Sequence, residues 1–309
     1  MASNSSSIVI VGSINMDLVV RAPHVPALGE TVLGREFATI PGGKGANQAV
    51  GVARLGAQAI MIGRVGGDDV GERLLAGLRA NGVDTTHVQT TPEVASGIAM
   101  IVVADDGENA ITVAGGANLE VTPADVDAAE DALRGARVCL LQLELPMPTV
   151  LHTIERCRRL GVEIILDPAP APAGAAPDGL FAADIITPNE SEAAQLTGLR
   201  PDADPAEIVR AITTRGCRTV VLKRGAQGAH LYSTEGNRAV PGFAVQPVDT
   251  TAAGDAFTAA LAVARARDWP LDQAVRFANA AGALACTRLG AQPSLPRAEE
   301  VDRLLAGQA

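Results

Sequence analysis

The stretch VDTTAAGDAFTAALAVARAR, Val248–Arg267, decides how the rest of the chain is read. Three small residues, Ala252, Ala253 and Gly254, lead straight into Asp255. An Ala-rich apolar pattern of helical period then runs to about Arg267. Side chains this small let backbone N–H groups come close to a ligand. A helix starting there points its free N–H groups and partial positive charge outward, which makes an anion site. A carboxylate in such a site suits a general base. Asp255 would take a proton from an alcohol while the amides hold the charge of a transferring phosphoryl group. A helix start capped by Asp, with no chemistry attached, has the same local pattern.

Outward from this segment, short apolar strands alternate with helices. Ile8–Gly12, Ala59–Ile62, Val138–Leu143, Val162–Leu166, Asp184–Ile186 and Thr219–Leu222 read as strands. Gly45–Leu55, Val70–Ala80, Pro148–Leu160, Asn189–Leu196, Ala206–Thr214, Leu271–Thr287 and Arg297–Leu305 read as helices. Thr122-Pro123, a cap followed by Pro at the first helical position, opens another to about Leu133. This alternation predicts an α/β fold, a three-layer α/β/α sandwich with a mostly parallel central sheet. Leu18–Ile40 and Ser96–Val113 have strand composition with turns and no helix between. They read as antiparallel strands of a small β-sheet lid over a ligand. Residues 1–7 read as a disordered tail and 8–309 as one domain. Ala169–Pro177 reads as a rigid surface loop.

Composition narrows the function. The chain has 309 residues, 47% hydrophobic, enough for one large α/β domain. A net charge of −10 argues against nucleic acid or an anionic membrane as the main partner. It leaves room for a phosphorylated ligand, because a local amide nest binds phosphate on an acidic protein. No apolar run approaches a membrane span, and the polar start MASNSSS reads as a tail and not as a signal peptide. Cys139, Cys157, Cys217 and Cys286 are scattered with no CxxC, as expected of free thiols in a reducing cytoplasm. The four histidines have no metal-ligand spacing, and no GxSxG elbow, P-loop or GxGxxG fingerprint is present.

Other constellations gather at the carboxyl ends of the strands, where open α/β sheets bind ligands. GGKGAN, Gly42–Asn47, precedes a helix and offers Lys44 and Asn47. Asn15 and Asp17 follow the first strand, and Glu144 follows Val138–Leu143. Asn15, Asp17, Lys44, Asn47 and Glu144 together suit a neutral polyol, each pairing with a hydroxyl. Taken singly, each also reads as turn chemistry or a surface charge. Asn189 with Glu192 fits a helix N-terminus facing phosphates or hydrated magnesium, or an ordinary cap. GAQG, Gly225–Gly228, either passes under a nucleotide or forms a hairpin turn. Gly290, Pro293 and Ser294 form a loop able to offer carbonyls to a monovalent cation beside Asp249 and Thr251.

In this order, VGSINMD (Val11–Asp17), PGGKGANQAV (Pro41–Val50), LQLE (Leu141–Glu144), DPAPA (Asp167–Ala171), ITPNESEA (Ile186–Ala193), VDTTAAGDAF and GAQPSLP (Gly290–Pro296) resemble the ribokinase-like carbohydrate kinase family. The resemblance covers nearly the whole chain. It implies a sandwich core whose β lid is also a homodimer interface, and ATP-dependent phosphorylation of D-ribose at O5. Asp255 would be the base, with Ala252, Ala253, Gly254 and Asp255 supplying anion-hole amides. Asn15, Met16, Asp17, Gly43, Lys44, Gly45, Ala46, Asn47, Glu144 and Asp255 would bind the sugar. Asn189, Glu192, Lys223, Arg224, Gly225, Ala226, Gln227, Gly228, Gly254, Asp255 and Asn279 would line the site for ATP and Mg²⁺. Asp249, Thr251, Ala285, Arg288, Gly290 and Ser294 would hold K⁺.

Lys223 and Arg224 depart from the family's pattern, which implies small or apolar residues there. Aromatic content of 2% weighs against a stacked nucleobase substrate. Two alternatives remain: a kinase for 2-deoxyribose or another small sugar, and a non-catalytic sugar sensor. Asp255 weighs against the sensor, which has no use for a base in an anion hole.

Overall fold

The computed structural model describes residues 7–200 and 203–307. Its first half comprises β1 (Ser7–Val11), β2 (Asn15–Ala22), β3 (Glu36–Gly42), α1 (Lys44–Arg54), β4 (Gln58–Gly66), α2 (Asp69–Ala80), β5 (Asp84–Thr91), β6 (Gly97–Ala104) and β7 (Asn109–Ala114). There follow α3 (Pro123–Ala128), α4 (Glu130–Gly135), β8 (Val138–Leu141), α5 (Met147–Leu160), β9 (Glu163–Leu166), β10 (Ile185–Ile186), α6 (Glu190–Thr197) and α7 (Pro205–Thr213). The chain continues through β11 (Thr219–Lys223), β12 (Ala229–Ser233), β13 (Gly236–Val240), α8 (Ala253–Ala266), α9 (Leu271–Ala285), α10 (Ala291–Ser294) and α11 (Ala298–Gly307).

The main sheet has the order β13-β12-β11-β10-β9-β8-β1-β4-β5. It is parallel from β11 to β5, and β12 and β13 add an antiparallel edge. The continuous apolar strands of the sequence are buried on both faces. Ile8 and Ile10 enter one core cluster with residues of α1, α8 and α9, and Val9 and Val11 enter a second with residues of α5, α6 and α7. That one-residue alternation makes the predicted three layers.

Four differences from the expected elements have physical reasons. Ser7, placed in the tail, is the buried first residue of β1, while 1–6 lie outside the described residues. The helix expected from Pro123 to Leu133 breaks at Ala129 (φ −103°, ψ 19°). Its methyl is fully buried, so packing overrides local helix propensity. The lid is a separate sheet, β3-β2-β6-β7, but β2 and β6 pair in parallel instead of antiparallel. Both leave the same side of the main sheet, after β1 and β5, and so run the same way. Finally β5, Thr-rich and half exposed, and β13, exposed along most of its length, lacked the apolar pattern that marks a strand.

Among the described residues no helix is long and apolar enough to cross a membrane. Helix α8 lies close against α1: a methyl on Gly51 would sit 2.8 Å from the Ala259 Cβ. Small residues on both sides allow that approach, and it brings the first turns of the two helices together.

Candidate active site

The head of α8 is built on a left-handed residue. Ala252 has φ 59° and ψ 10°, a strained conformation for a side chain with a Cβ. The chain turns sharply there and Asp255 falls in the first turn of the helix, 6% exposed. Asn47 Nδ2 donates to Asp255 Oδ2 at 2.8 Å, and Gln48 Nε2 donates to Oδ1 at 3.2 Å. Both donors come from α1. Burial, with Asp167 adding to it, raises the Asp255 pKa to about 6 against the pull of Lys44, Asn47 and Gln48. A carboxylate tuned that way is ionised at neutral pH yet basic enough to accept a proton. One expected nest amide is in use: Ala253 N–H donates to Thr250 O at 3.2 Å.

On the lid side, Asp17 stands on β2 with its carboxylate against Gly42, where any Cβ would come within 2.5 Å of it. The glycines of PGGKGAN are therefore required by the protein itself. A Cβ on Gly43 would meet Asn15 N at 2.6 Å, and one on Gly45 would meet the Gly12 carbonyl carbon at 2.6 Å. Burial, then Glu144 and Asp255, lift the Asp17 pKa to about 7. Burial acts to lower the Lys44 pKa, but Asp255, Asp167, Glu144 and Glu192 outweigh it and hold the ammonium above its ordinary value. Glu144 Oε2 accepts from Ser13 Oγ at 2.5 Å and from Lys44 N–H at 3.4 Å. Asn15 Oδ1 accepts from Asn118 Nδ2 at 2.7 Å. Among the described residues buried Asn47 Oδ1 has no hydrogen-bond partner, which makes it an acceptor suited to a hydroxyl. Met16 and Ala46 sit inside the core cluster, beneath the site.

On the other side of Asp255 lies a cleft of about 690 Å³. Gly225, Gly228, Phe243, Gly254, Asn279 and Gly282 line it. GAQG forms the hairpin turn joining β11 to β12, and its Gly225, Ala226 and Gly228 line this cleft. Asn279 Nδ2 donates to the Val240 and Pro241 carbonyls at 3.0 and 3.1 Å, fixing the exit of β13. Asn189 and Glu192 form a reciprocal capping box at the head of α6, both bonds at 2.8 Å. Burial raises the Glu192 pKa, with Asp167 adding and Lys223 opposing. Lys223 donates to Asp167 Oδ1 at 2.8 Å, whereas Arg224 faces Glu190 at 3.1 Å. A second cleft, about 490 Å³ between α7 and the β12–β13 hairpin, contains none of the expected site residues.

Of the residues expected to hold a cation, Asp249, Thr251 and Gly290 are hydrogen-bonded together. Asp249 Oδ1 accepts from the Thr251 amide and hydroxyl at 2.9 and 2.6 Å, and Oδ2 accepts from Gly290 N–H at 2.8 Å. Burial opposes ionisation of Asp249, but these bonds prevail and its pKa is lowered. Val248 and Asp249 N–H both donate to Cys286 O, tying this loop to the end of α9 beside Ala285. Buried Ser294 donates to Ala291 O at 2.8 Å. The Arg288 guanidinium is drawn away to Glu300.

Five polar residues at the site had no role in the sequence reading: Ser13, Gln48, Asn118, Gln142 and Asp167. Gln48 Oε1 accepts from Gln142 Nε2 at 2.6 Å and Gln48 Nε2 donates to Asp167 Oδ2 at 3.1 Å. The available signal was a polar residue at the end of an apolar strand, as at Gln142 and Asp167.

A family model described as pfkB family carbohydrate kinase matches residues 5–298. The chain is 41% identical over 300 residues to a ribokinase of Bacillus subtilis (strain 168), covering 97% of this chain and 99% of that protein. It superposes on the crystal structure of a ribokinase from Thermotoga maritima with a TM-score of 0.88 at 35% identity, covering 97% of this chain and 99% of that one. An Arabidopsis thaliana ribokinase complexed with ribose and ATP gives a TM-score of 0.89 at 32% identity, with 97% and 99% covered.

Proposed function

Because the chain belongs to the pfkB family of carbohydrate kinases, we propose that it is a ribose kinase, transferring the γ-phosphoryl group of ATP to O5 of D-ribose. One observation carries the reading. Asp255 is buried between the polar groups of α1 and the lid on one side and the Gly254-floored cleft on the other. An alcohol held by Asp17, Asn15 and Asn47 would thus present its hydroxyl to the base and to a phosphoryl group over Gly254.

Asp255 takes the O5 proton, and the N–H groups at the head of α8 receive the charge that builds on the phosphoryl oxygens. Asn47 and Gln48 hold both carboxylate oxygens of the base, so it is oriented before the sugar arrives. Asp17, Asn15, Lys44 and Glu144 fix the remaining hydroxyls.

Among the described residues no group of three His, Cys, Asp or Glu side chains forms a metal cage. That suits Mg²⁺, which keeps waters and is carried by nucleotide phosphates. Glu192 and Asp167 would steady its water shell, and its chemistry is charge neutralisation on the phosphates. One carboxylate among loop carbonyls suits K⁺, and Asp249, Thr251, Gly290 and Ser294 would hold it. We also read the protein as a cytoplasmic homodimer joined through the lid. The sheet register puts Val19, Ile101, Ile111 and Val113 on one lid face with Asp17. Ile111 and Val113 are 55% and 46% exposed, a face that a second copy would cover.

The test is a panel of pentoses and hexoses with MgATP, reporting kcat/KM for each. Ribose should lead. A 2-deoxyribose or hexose preference would move the substrate, and ATP turnover indifferent to every sugar would sink the reading.

A further inference from the structure

Of the two cations at the end of β11, Arg224 turns outward to Glu190, while the Lys223 side chain is only 14% exposed. Lys223 Nζ meets Asp167 Oδ1 at 2.8 Å. A methyl built on Gly254 would lie 3.4 Å from the same nitrogen. The ammonium therefore rests against the head of α8, on the wall of the nucleotide cleft. The other Asp167 oxygen accepts from Gln48 Nε2 at 3.1 Å, and that amide nitrogen also reaches Asp255 Oδ1 at 3.2 Å. A line of contacts thus runs Lys223–Asp167–Gln48–Asp255, from cleft to base.

A buried ion pair kept only for stability is replaceable by apolar side chains with little loss. This pair instead lies where a triphosphate would enter a site already lined by Asp17, Glu144, Asp167, Glu192 and Asp255, and such a ligand needs a counter-charge there. The only two lysines of the sequence also divide the site: Lys44 heads α1 on the sugar side and Lys223 lines the cleft.

Resting on the ribose-kinase reading, we propose that Lys223 is a catalytic residue that contacts the transferring phosphoryl group, and that Asp167 and Gln48 are positioning residues linking it to the base. In the step, the ribose O5–H proton passes to Asp255 and the O5 electron pair forms the bond to the γ-phosphorus. The bond from that phosphorus to the bridging oxygen breaks, and ADP leaves with its electron pair. Lys223 stays protonated throughout and offsets charge on the γ-phosphoryl oxygens above Gly254. Asp167 keeps the ammonium at that spot, and Gln48 fixes its distance from the base.

The test compares Lys223→Met, Asp167→Asn and the double variant. Lys223→Met should lower kcat by about 10²–10³-fold, the scale of removing one preorganised electrostatic donor. The double variant, which also removes the uncompensated carboxylate, should remain as slow. Recovery to within about threefold of wild type would overturn the proposal, since the lysine would then be only a counter-ion. Asp167→Asn should shift the acid limb of kcat to lower pH, because it removes a negative charge beside Asp255; an unmoved limb would reduce Asp167 to a structural role. Calorimetric titration supplies a readout independent of sugar turnover. Lys223→Met should weaken ADP–fluoroaluminate by more than about 30-fold and ADP alone by less than about threefold. Equal weakening of both would remove Lys223 from the transferring group. A wild-type protein that turns over no sugar would instead overturn the ribose-kinase reading, and the titration would still decide Lys223.

Discussion

Asn47 and Asp255, 208 residues apart in sequence, share a 2.8 Å hydrogen bond from the Asn47 amide to the carboxylate. It crosses the junction of α1 and α8 and fixes one oxygen of the Asp255 carboxylate. Asp255→Asn keeps the shape but not the basicity. Turnover should drop by roughly 10²–10⁴-fold while calorimetry still detects ribose binding. A variant retaining more than about a third of wild-type kcat would take Asp255 out of the role of general base.

The raised pKa of Asp255, about 6, has two consequences of opposite sign. A general base works only when ionised, so if Asp255 has the proposed role kcat should fall about tenfold per unit as pH drops below 6. Folding favours the protonated form. The stabilising contribution is complete below the ordinary value of 3.8 and disappears as pH rises through about 6. Asp255→Asn should therefore melt above the wild type at pH 8, with the gap closing toward pH 4. A gap that widens on acidification would contradict the burial argument.

Asp17, with a pKa of about 7, is partly protonated near neutrality. Sugar hydroxyls donating to it would favour the ionised form. Ribose binding at pH 7 should then release protons, seen as a dependence of the binding heat on buffer ionisation enthalpy. Asp17→Ala should abolish that release and cost a few kcal/mol in kcat/KM, because hydroxyls in a closed site lose their acceptor. Normal ribose kinetics with weakened ATP binding would show the sugar site to be elsewhere.

The lid leaves Ile111 55% exposed on the face that carries Asp17. Ile111→Glu should convert a dimer to a monomer in sedimentation at micromolar concentration, and raise the KM for ribose more than that for ATP. A wild-type chain that is monomeric and fully active would dispose of the dimer.

Asp249 binds both Thr251 and Gly290 N–H, three residues before the left-handed turn at Ala252. A cation held there would stiffen the loop that aims the nest amides, without touching substrate. Activity should be higher in potassium than in sodium or lithium at equal ionic strength. Ser294→Ala should weaken that activation more than it weakens ribose affinity. Equal rates in potassium and tetramethylammonium would rule the site out.

By itself the sequence determined the layers, because a strand buried on both faces must be apolar at every position, as in Ile8–Val11. It marked the head of α8 through Ala252–Asp255, where small residues and an acid have a local meaning. It also marked the glycines of Gly42–Gly45, although the reason for them, contact with Asp17 and the backbone of Gly12 and Asn15, is tertiary. What only the folded chain decided was partnership. Gln48 and Asp167 read as ordinary polar residues until α1, β9 and β11 converge on Asp255. Lys223 and Arg224, neighbours of like charge, part company because successive residues leaving a strand point to opposite sides. One ammonium is thereby buried against Asp167 and the other faces Glu190. The parallel pairing of β2 with β6 was likewise beyond local pattern, since strand direction is set by where each leaves the main sheet and not by the residues within it.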